Sequence, residues 1–130
     1  MSRSMLILSD ATRQFSGRGS VVRALDGVSL AVEGGELVVV RGPSGCGKTS
    51  LLLTAGGLLA PDTGRVEIDG QDPYALSPND RATQRARTTG FVFQQFHLIP
   101  YLSALDNVRA AGIASQDSGS EDRAVDLLTQ

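Results

Sequence analysis

The apolar run Leu37-Val38-Val39-Val40 leads, one residue later, into Gly42-Pro43-Ser44-Gly45-Cys46-Gly47-Lys48-Thr49. Leu51, Leu52, Ala55 and Leu58 follow at spacings that line one face of a helix. The octapeptide fits the phosphate-binding pattern G-x-x-x-x-G-K-[ST], and strand, glycine loop, helix is the context that pattern requires. A continuous apolar run reads as a strand buried on both faces, so it predicts a parallel sheet covered on both sides. Successive glycines let the backbone curl until the amides of residues 45–50 point at one place, where they can cradle phosphate oxygens. Gly42 makes the tight exit from the strand, and Gly45 and Gly47 permit dihedrals and a close approach that a side chain would obstruct. Lys48 is placed to reach the β and γ phosphates, and the Thr49 hydroxyl to hold Mg2+. Pro43, Ser44, Cys46 and Ser50 complete the loop, and the dipole of the new helix adds positive potential.

Composition sharpens this reading. The chain carries eleven arginines and a single lysine, and that lysine is Lys48. A compact ammonium, rather than a planar guanidinium fork, stands where a charge must fit between phosphate oxygens. Nucleoside triphosphate binding is therefore expected, against the plainer alternative of a Gly-rich turn before a buried helix.

With 130 residues, 41% of them hydrophobic, the chain suffices for one domain with a core. A net charge of -2 and a pI near 5.2 give no footprint for nucleic acid, and none is expected as a partner. One cysteine excludes an internal disulfide, so the cytoplasm is the default compartment. Residues 1–8 read as a strand rather than a secretory signal. No apolar stretch reaches the length of a membrane span, so work at a membrane would require another chain to cross it.

Residues 5–9 and 21–32 are rich in Val, Ile and Leu, are punctuated by Gly17, Gly19 and Asp26-Gly27, and predict an antiparallel sheet. Pro61-Asp62-Thr63-Gly64 is expected to end the helix that begins at Lys48. Residues 65–68 predict a strand closed by Asp69-Gly70. Ser77-Pro78 opens an arginine-rich helix to about Arg87. Residues 90–93 predict a second buried strand running into Gln94-Gln95. Ser103 and Asp106 form a capping pattern for a helix to about Ala114, residues 115–120 form a loop, and Ser120 caps a last helix with Ala124, Val125, Leu127 and Leu128 on its apolar side.

Taken with the loop, three further segments carry a resemblance: Ala24-Leu25-Asp26-Gly27-Val28-Ser29-Leu30, Gly64-Arg65-Val66-Glu67-Ile68-Asp69-Gly70, and Gly90-Phe91-Val92-Phe93-Gln94-Gln95-Phe96-His97-Leu98-Ile99-Pro100. The chain resembles the N-terminal part of the ATP-binding cassette (ABC) transporter ATPases, nearest to the lipoprotein-release and macrolide-exporter-like group, where a similar F-V-F-Q stretch precedes an L-x-x-x-D/E-N-V segment. The resemblance implies an α/β fold, a P-loop NTPase core with an N-terminal antiparallel β subdomain. It implies ATP and Mg2+ as cofactors. The implied partners are an integral-membrane permease subunit and a second nucleotide-binding domain, with the protein cytoplasmic and peripheral on the inner face of the cell membrane.

By the same resemblance Phe15 matches the aromatic residue that stacks on adenine, against a plain role as a half-buried strand residue. Gln94 matches the glutamine that approaches magnesium and the attacking water, against a strand-end amide that merely satisfies backbone groups. Cys46 is read as a small residue at a tolerant position, with a thiol shielded by nucleotide as the sharper alternative. His97 is read as a surface or permease-facing residue, because the family's catalytic histidine belongs to the other half of the core. Arg81, Arg85 and Arg87 are read as a solvated helix face rather than a phosphate patch.

The chain departs from the family pattern in its extent. It is expected to be truncated before the signature loop and the acidic (Walker B) strand, with 1–94 as β subdomain plus P-loop core and 95–130 as the start of the helical subdomain. No Asp or Glu closes an apolar run as that acidic strand would require. Negligible ATPase activity is therefore expected of the chain alone, with strand edges at 37–40 and 91–93 left bare. Three functions remain open: the ATP-binding half of a transport ATPase, a noncatalytic nucleotide-binding or regulatory module, and a small P-loop phosphotransferase.

Overall fold

The computed structural model describes residues 4–113 and 119–130. The chain divides into two compact units between Thr88 and Thr89.

The first unit is organised by a long hairpin. Strand β1, Ser4–Gly17, pairs antiparallel with β2, Ser20–Glu33, across a turn in which Gly19 takes φ +80°. Both strands are longer than the apolar residues alone predict, because bulges carry the ladder past polar positions. At one bulge Asp10 adopts φ 48° and its amide donates to Ser29 Oγ at 3.0 Å. At another Gly27 adopts φ +64° and its amide donates to Thr12 Oγ1 at 3.2 Å. Strand β3, Thr63–Ile68, joins the free edge of β1, giving the order β2-β1-β3 with Leu8 opposite Val66 and Leu6 opposite Ile68. The core is the inward face of this sheet: Leu8, Ala11, Val66 and Ile68 are buried, with Leu6, Leu30, Leu51, Ala55 and Tyr74 packed around them.

Helix α1, Lys48–Ala55, lies against that core. It ends before the expected Pro61 signal. Gly57, at φ +79°, lets Leu58 N–H reach the Leu53 carbonyl at 2.9 Å and its own N–H reach that of Thr54 at 3.3 Å, a Schellman closure. The predicted apolar face is only partly used: Leu51 and Ala55 pack on the core, whereas Leu52 and Leu58 are exposed. A short 3-10 turn, Pro73–Ala75, brings the Tyr74 hydroxyl within 2.7 Å of the Leu59 carbonyl and 2.8 Å of that of Thr54, latching the segment after α1. Burial pushes this hydroxyl up from 10.0 to about 12. Helix α2, Pro78–Thr88, starts at the predicted cap, with Asp80 N–H donating to Ser77 Oγ and that hydroxyl donating back to the Asp80 carboxylate at 2.6 Å.

Two expectations fail. Residues 37–40 and 90–93 form no ladder among the described residues, and Leu37 and Val92 are fully accessible at 88% and 102%. Apolar composition creates the demand for burial, but a strand exists only where a partner supplies hydrogen bonds, and parallel partners are distant in sequence.

The second unit holds α3, Ala104–Ile113, and α4, Ser120–Leu128, packed on each other. Ser103 caps α3 as predicted, through Asp106 N–H at 3.1 Å. The cap of α4 is Gly119 rather than Ser120, which is already helical. Of the predicted apolar side only Ala124 is buried; Val125, Leu127 and Leu128 are exposed. The predicted end of α3 at Ala114 and most of the predicted loop lie outside the described residues.

Candidate functional site

The glycine loop is docked against the sheet by close backbone contact. Gly47 takes φ +100°, and a Cβ there would collide with the Ala24 carbonyl oxygen of β2, so no other residue fits without moving backbone. Gly45, at φ +78°, is fixed by its dihedral alone, since a Cβ there meets nothing within 4 Å. Gly42 is set by its neighbour: a Cβ would sit 2.6 Å from Cys46 Sγ. The cysteine therefore packs over the loop's exit, which gives it a contact the sequence did not predict. It is exposed and lies 3.6 Å from Lys48 Nζ.

Lys48 Nζ donates to the carbonyls of Gly42 at 2.8 Å and Pro43 at 2.7 Å, holding the ammonium across the loop's mouth. The first backbone bond of the helix is Leu51 N–H to the Gly47 carbonyl, 2.9 Å. The amides of Lys48, Thr49 and Ser50 precede it, so they are donors that a helix cannot satisfy from within. Ammonium, first-turn amides and helix dipole thus converge, an arrangement that fits a polyphosphate. Thr49 is exposed in the first turn, where its hydroxyl can serve a cation held by that phosphate. Pro43 and Ser44 are exposed.

Phe15 sits near the tip of the hairpin, opposite Val22 and 41% exposed. Val22 stands two residues before Ala24, whose carbonyl abuts Gly47, so strand geometry separates the two levels by about 7 Å. That spacing suits a base and a phosphate chain held by one strand pair. The sequence did not flag the surroundings of this ring. Arg13 places its guanidinium carbon 5.0 Å from the ring centroid, and Arg13 Nη1 donates to Asp62 Oδ1 at 2.9 Å and the Ala60 carbonyl at 3.2 Å. Asp62 Oδ2 accepts from Gln14 N–H at 2.7 Å, and Asp62 N–H donates to the Thr12 carbonyl at 2.7 Å. Asp62 was legible only as part of a helix stop; its carboxylate ties β1 to the segment after α1.

In the second unit Gln94 and Gln95 are exposed in a bend after Phe91 and Phe93, whose rings stack at 5.4 Å. His97 adopts φ 50° and meets Phe93 edge-on at 5.1 Å. Asn107, within the L-x-x-x-D-N-V segment, clasps the preceding loop: its Oδ1 accepts from Ile99 N–H at 2.7 Å, and its Nδ2 donates to the Ile99 and Ser103 carbonyls at 3.2 and 3.0 Å. That clasp shapes an apolar groove of about 500 Å³ lined by Leu98, Ile99, Pro100, Leu102, Val108 and Leu128 among others. Leu98 in its lining, and Phe96 and Tyr101 in the same segment of chain, are exposed. Of the arginines read as a solvated face, Arg81 lies 5.7 Å from the Tyr74 ring and Arg85 donates to the Gly57 carbonyl at 3.4 Å, so both also pin α2. No described helix is long and apolar enough to cross a membrane.

A model of the family described as ABC transporter matches residues 25–130. The lipoprotein-releasing system ATP-binding protein LolD 1 of Rhodopirellula baltica is 41% identical over 126 residues, covering 95% of this chain and 55% of its own length. The macrolide export ATP-binding/permease protein MacB of Hyphomonas neptunium is 40% identical over 95% of this chain and 19% of its own. The dimeric ATP-binding cassette MJ0796, solved in a post-hydrolysis state bound to ADP and Pi, superposes with a TM-score of 0.88 at 35% identity, over 96% of this chain and 56% of that one. The chain thus spans about half the length of such cassettes.

Proposed function

The chain belongs to the ABC transporter family, and from that membership we propose that it binds Mg-ATP as the N-terminal portion of a transport ATPase that powers a membrane permease. The observation that carries the reading is Lys48, held by two loop carbonyls across the mouth of a first helical turn with unspent amides. Residues 42–50 hold the phosphates, Thr49 serves the magnesium ion, and Phe15 stacks on the adenine; for Gln94, in the second unit, we propose the role of the family's magnesium- and water-approaching glutamine. Bound magnesium neutralises phosphate charge. We assign residues 1–94 to the β subdomain plus P-loop core and 95–130 to the start of a helical subdomain. The apolar groove and the exposed Phe96, Leu98 and Tyr101 support an integral-membrane permease as partner, and MJ0796, a dimer in its solved structure, supports a second nucleotide-binding domain. The protein then works in the cytoplasm, against the inner face of the membrane.

Hydrolysis needs metal positioning, water orientation and charge stabilisation together. Among the described residues no parallel strand ends in a carboxylate, so the chain by itself turns over ATP negligibly. Calorimetric titration with Mg-ATP tests the reading. Binding is expected for the chain and weakens about 10- to 100-fold in Lys48→Ala, without phosphate release in either. Equal affinity in Lys48→Ala would refute the role of the loop, and phosphate release would refute the inactivity.

A further inference from the structure

We infer that Arg13 is a positioning residue for the nucleobase, the back layer of a guanidinium–Phe15–base sandwich. The inference rests on the proposed stacking of adenine on Phe15. Arg13 and Phe15 are two apart on β1 and so share a face of the strand. The guanidinium carbon lies 5.0 Å from the ring centroid, inside the range of a cation–π contact. Phe15 nevertheless remains 41% exposed, so one face of its ring is covered while the ring as a whole is still open to a ligand.

The cation is held in place rather than resting there. Its Nη1 is fixed by Asp62 at 2.9 Å and by the Ala60 carbonyl at 3.2 Å, and its Nε is buried without a hydrogen-bond partner among the described residues. Asp62 is in turn fastened to β1 through Gln14 N–H and the Thr12 carbonyl. Two consequences follow for a base arriving on the open face. The contact biases the ring toward one orientation, so less freedom is lost when the base stacks. The positive charge behind the ring also draws down its negative face, lessening the repulsion between two π clouds laid parallel. A phenylalanine lacks the hydroxyl with which a tyrosine would anchor itself, and Arg13 supplies anchoring from behind.

The test compares Mg-ATP with Mg-tripolyphosphate, which offers the loop its phosphates but has no base, by calorimetry on the full chain. Arg13→Met is expected to weaken ATP about two- to fivefold and leave tripolyphosphate unchanged. Arg13→Lys, which keeps a cation, restores part of the loss. In a Phe15→Leu background, Arg13→Met has no further effect on ATP. Arg13→Gln, whose amide can still donate to Asp62, removes the charge while keeping the tie and carries the same expectation if Arg13→Met does not fold. Equal weakening of both ligands, or an undiminished effect in the Phe15→Leu background, would make Arg13 merely structural and overturn the inference. Phe15→Leu binding ATP as tightly as the parent would sink the stacking reading itself. ATP weakened by Phe15→Leu but by neither Arg13→Met nor Arg13→Gln would sink only the role of Arg13.

Discussion

Leu8 and Val39 are both aliphatic residues in runs that read as strands, yet Leu8 is 2% exposed and Val39 67%. The difference lies in where each run finds its partner. Leu8 faces Leu30 across a hairpin and Val66 on the other side, antiparallel neighbours that the first 68 residues supply. Val39 belongs to a run with no ladder partner among the described residues. The glycine loop that follows is nevertheless fixed, because its anchor is Ala24 of β2 rather than the run before it. A glycine loop can thus be held by a sheet that is complete locally, while the run that introduces it has no ladder among the described residues.

The strongest way to break this comparison is to detach the loop from the sheet. Gly47→Ala sets a Cβ against the Ala24 carbonyl at a φ of +100°, and overlap and strain together should cost about 2–5 kcal/mol of docking. The expected result is loss of measurable Mg-ATP binding while the hairpin persists by circular dichroism. Retained binding would mean that the loop is held elsewhere. Leu8→Ala attacks the sheet instead. It empties a fully buried site in the core and should cost about 2–4 kcal/mol, read as a lower urea midpoint.

A smaller effect is expected at the latch beyond α1. Tyr74→Phe removes the hydroxyl that lies against the Thr54 and Leu59 carbonyls and should cost about 1 kcal/mol. Burial raises this hydroxyl to about 12, so as pH rises the unfolded chain ionises first, near 10. The unfolded state then binds fewer protons than the folded one, and stability declines with pH. Its contribution is whole below pH 10 and is lost between about 10 and 12. The gap in stability between the parent chain and Tyr74→Phe should therefore narrow across that window, and a constant gap would show that the hydroxyl ionises as freely in the fold as out of it.

Much of the loop's backbone was legible because its pattern is a local requirement: two glycines needing positive φ, followed at a fixed offset by the start of a helix. The caps at Ser77 and Ser103 were legible for the same reason. Arg13, Asp62 and Tyr74 were not, because each acts across 15 to 49 residues through a side chain whose type is ordinary for a strand or turn. The Schellman closure at Gly57 is carried by the Gly56-Gly57 pair, a stop signal that precedes the proline. The strand assignments at 37–40 and 90–93 failed differently. They read burial from composition, and composition does not name the partner.

The smallest effect sharpens that last point. Val39→Ser replaces a residue whose side chain touches solvent over most of its surface, so the stability of the isolated chain should change by less than about 0.5 kcal/mol. Leu37, Val39, Leu52 and Leu58 are all exposed, and such apolar surface favours association between copies. Light scattering of Val39→Ser should accordingly show less self-association than the parent at equal concentration. If the substitution instead destabilises the chain on the scale of Leu8→Ala, and the loss shrinks on dilution, residues 37–40 are already buried in solution by a second copy. The contrast between the two runs would then be one of partner identity, one supplied by the hairpin and the other by another molecule.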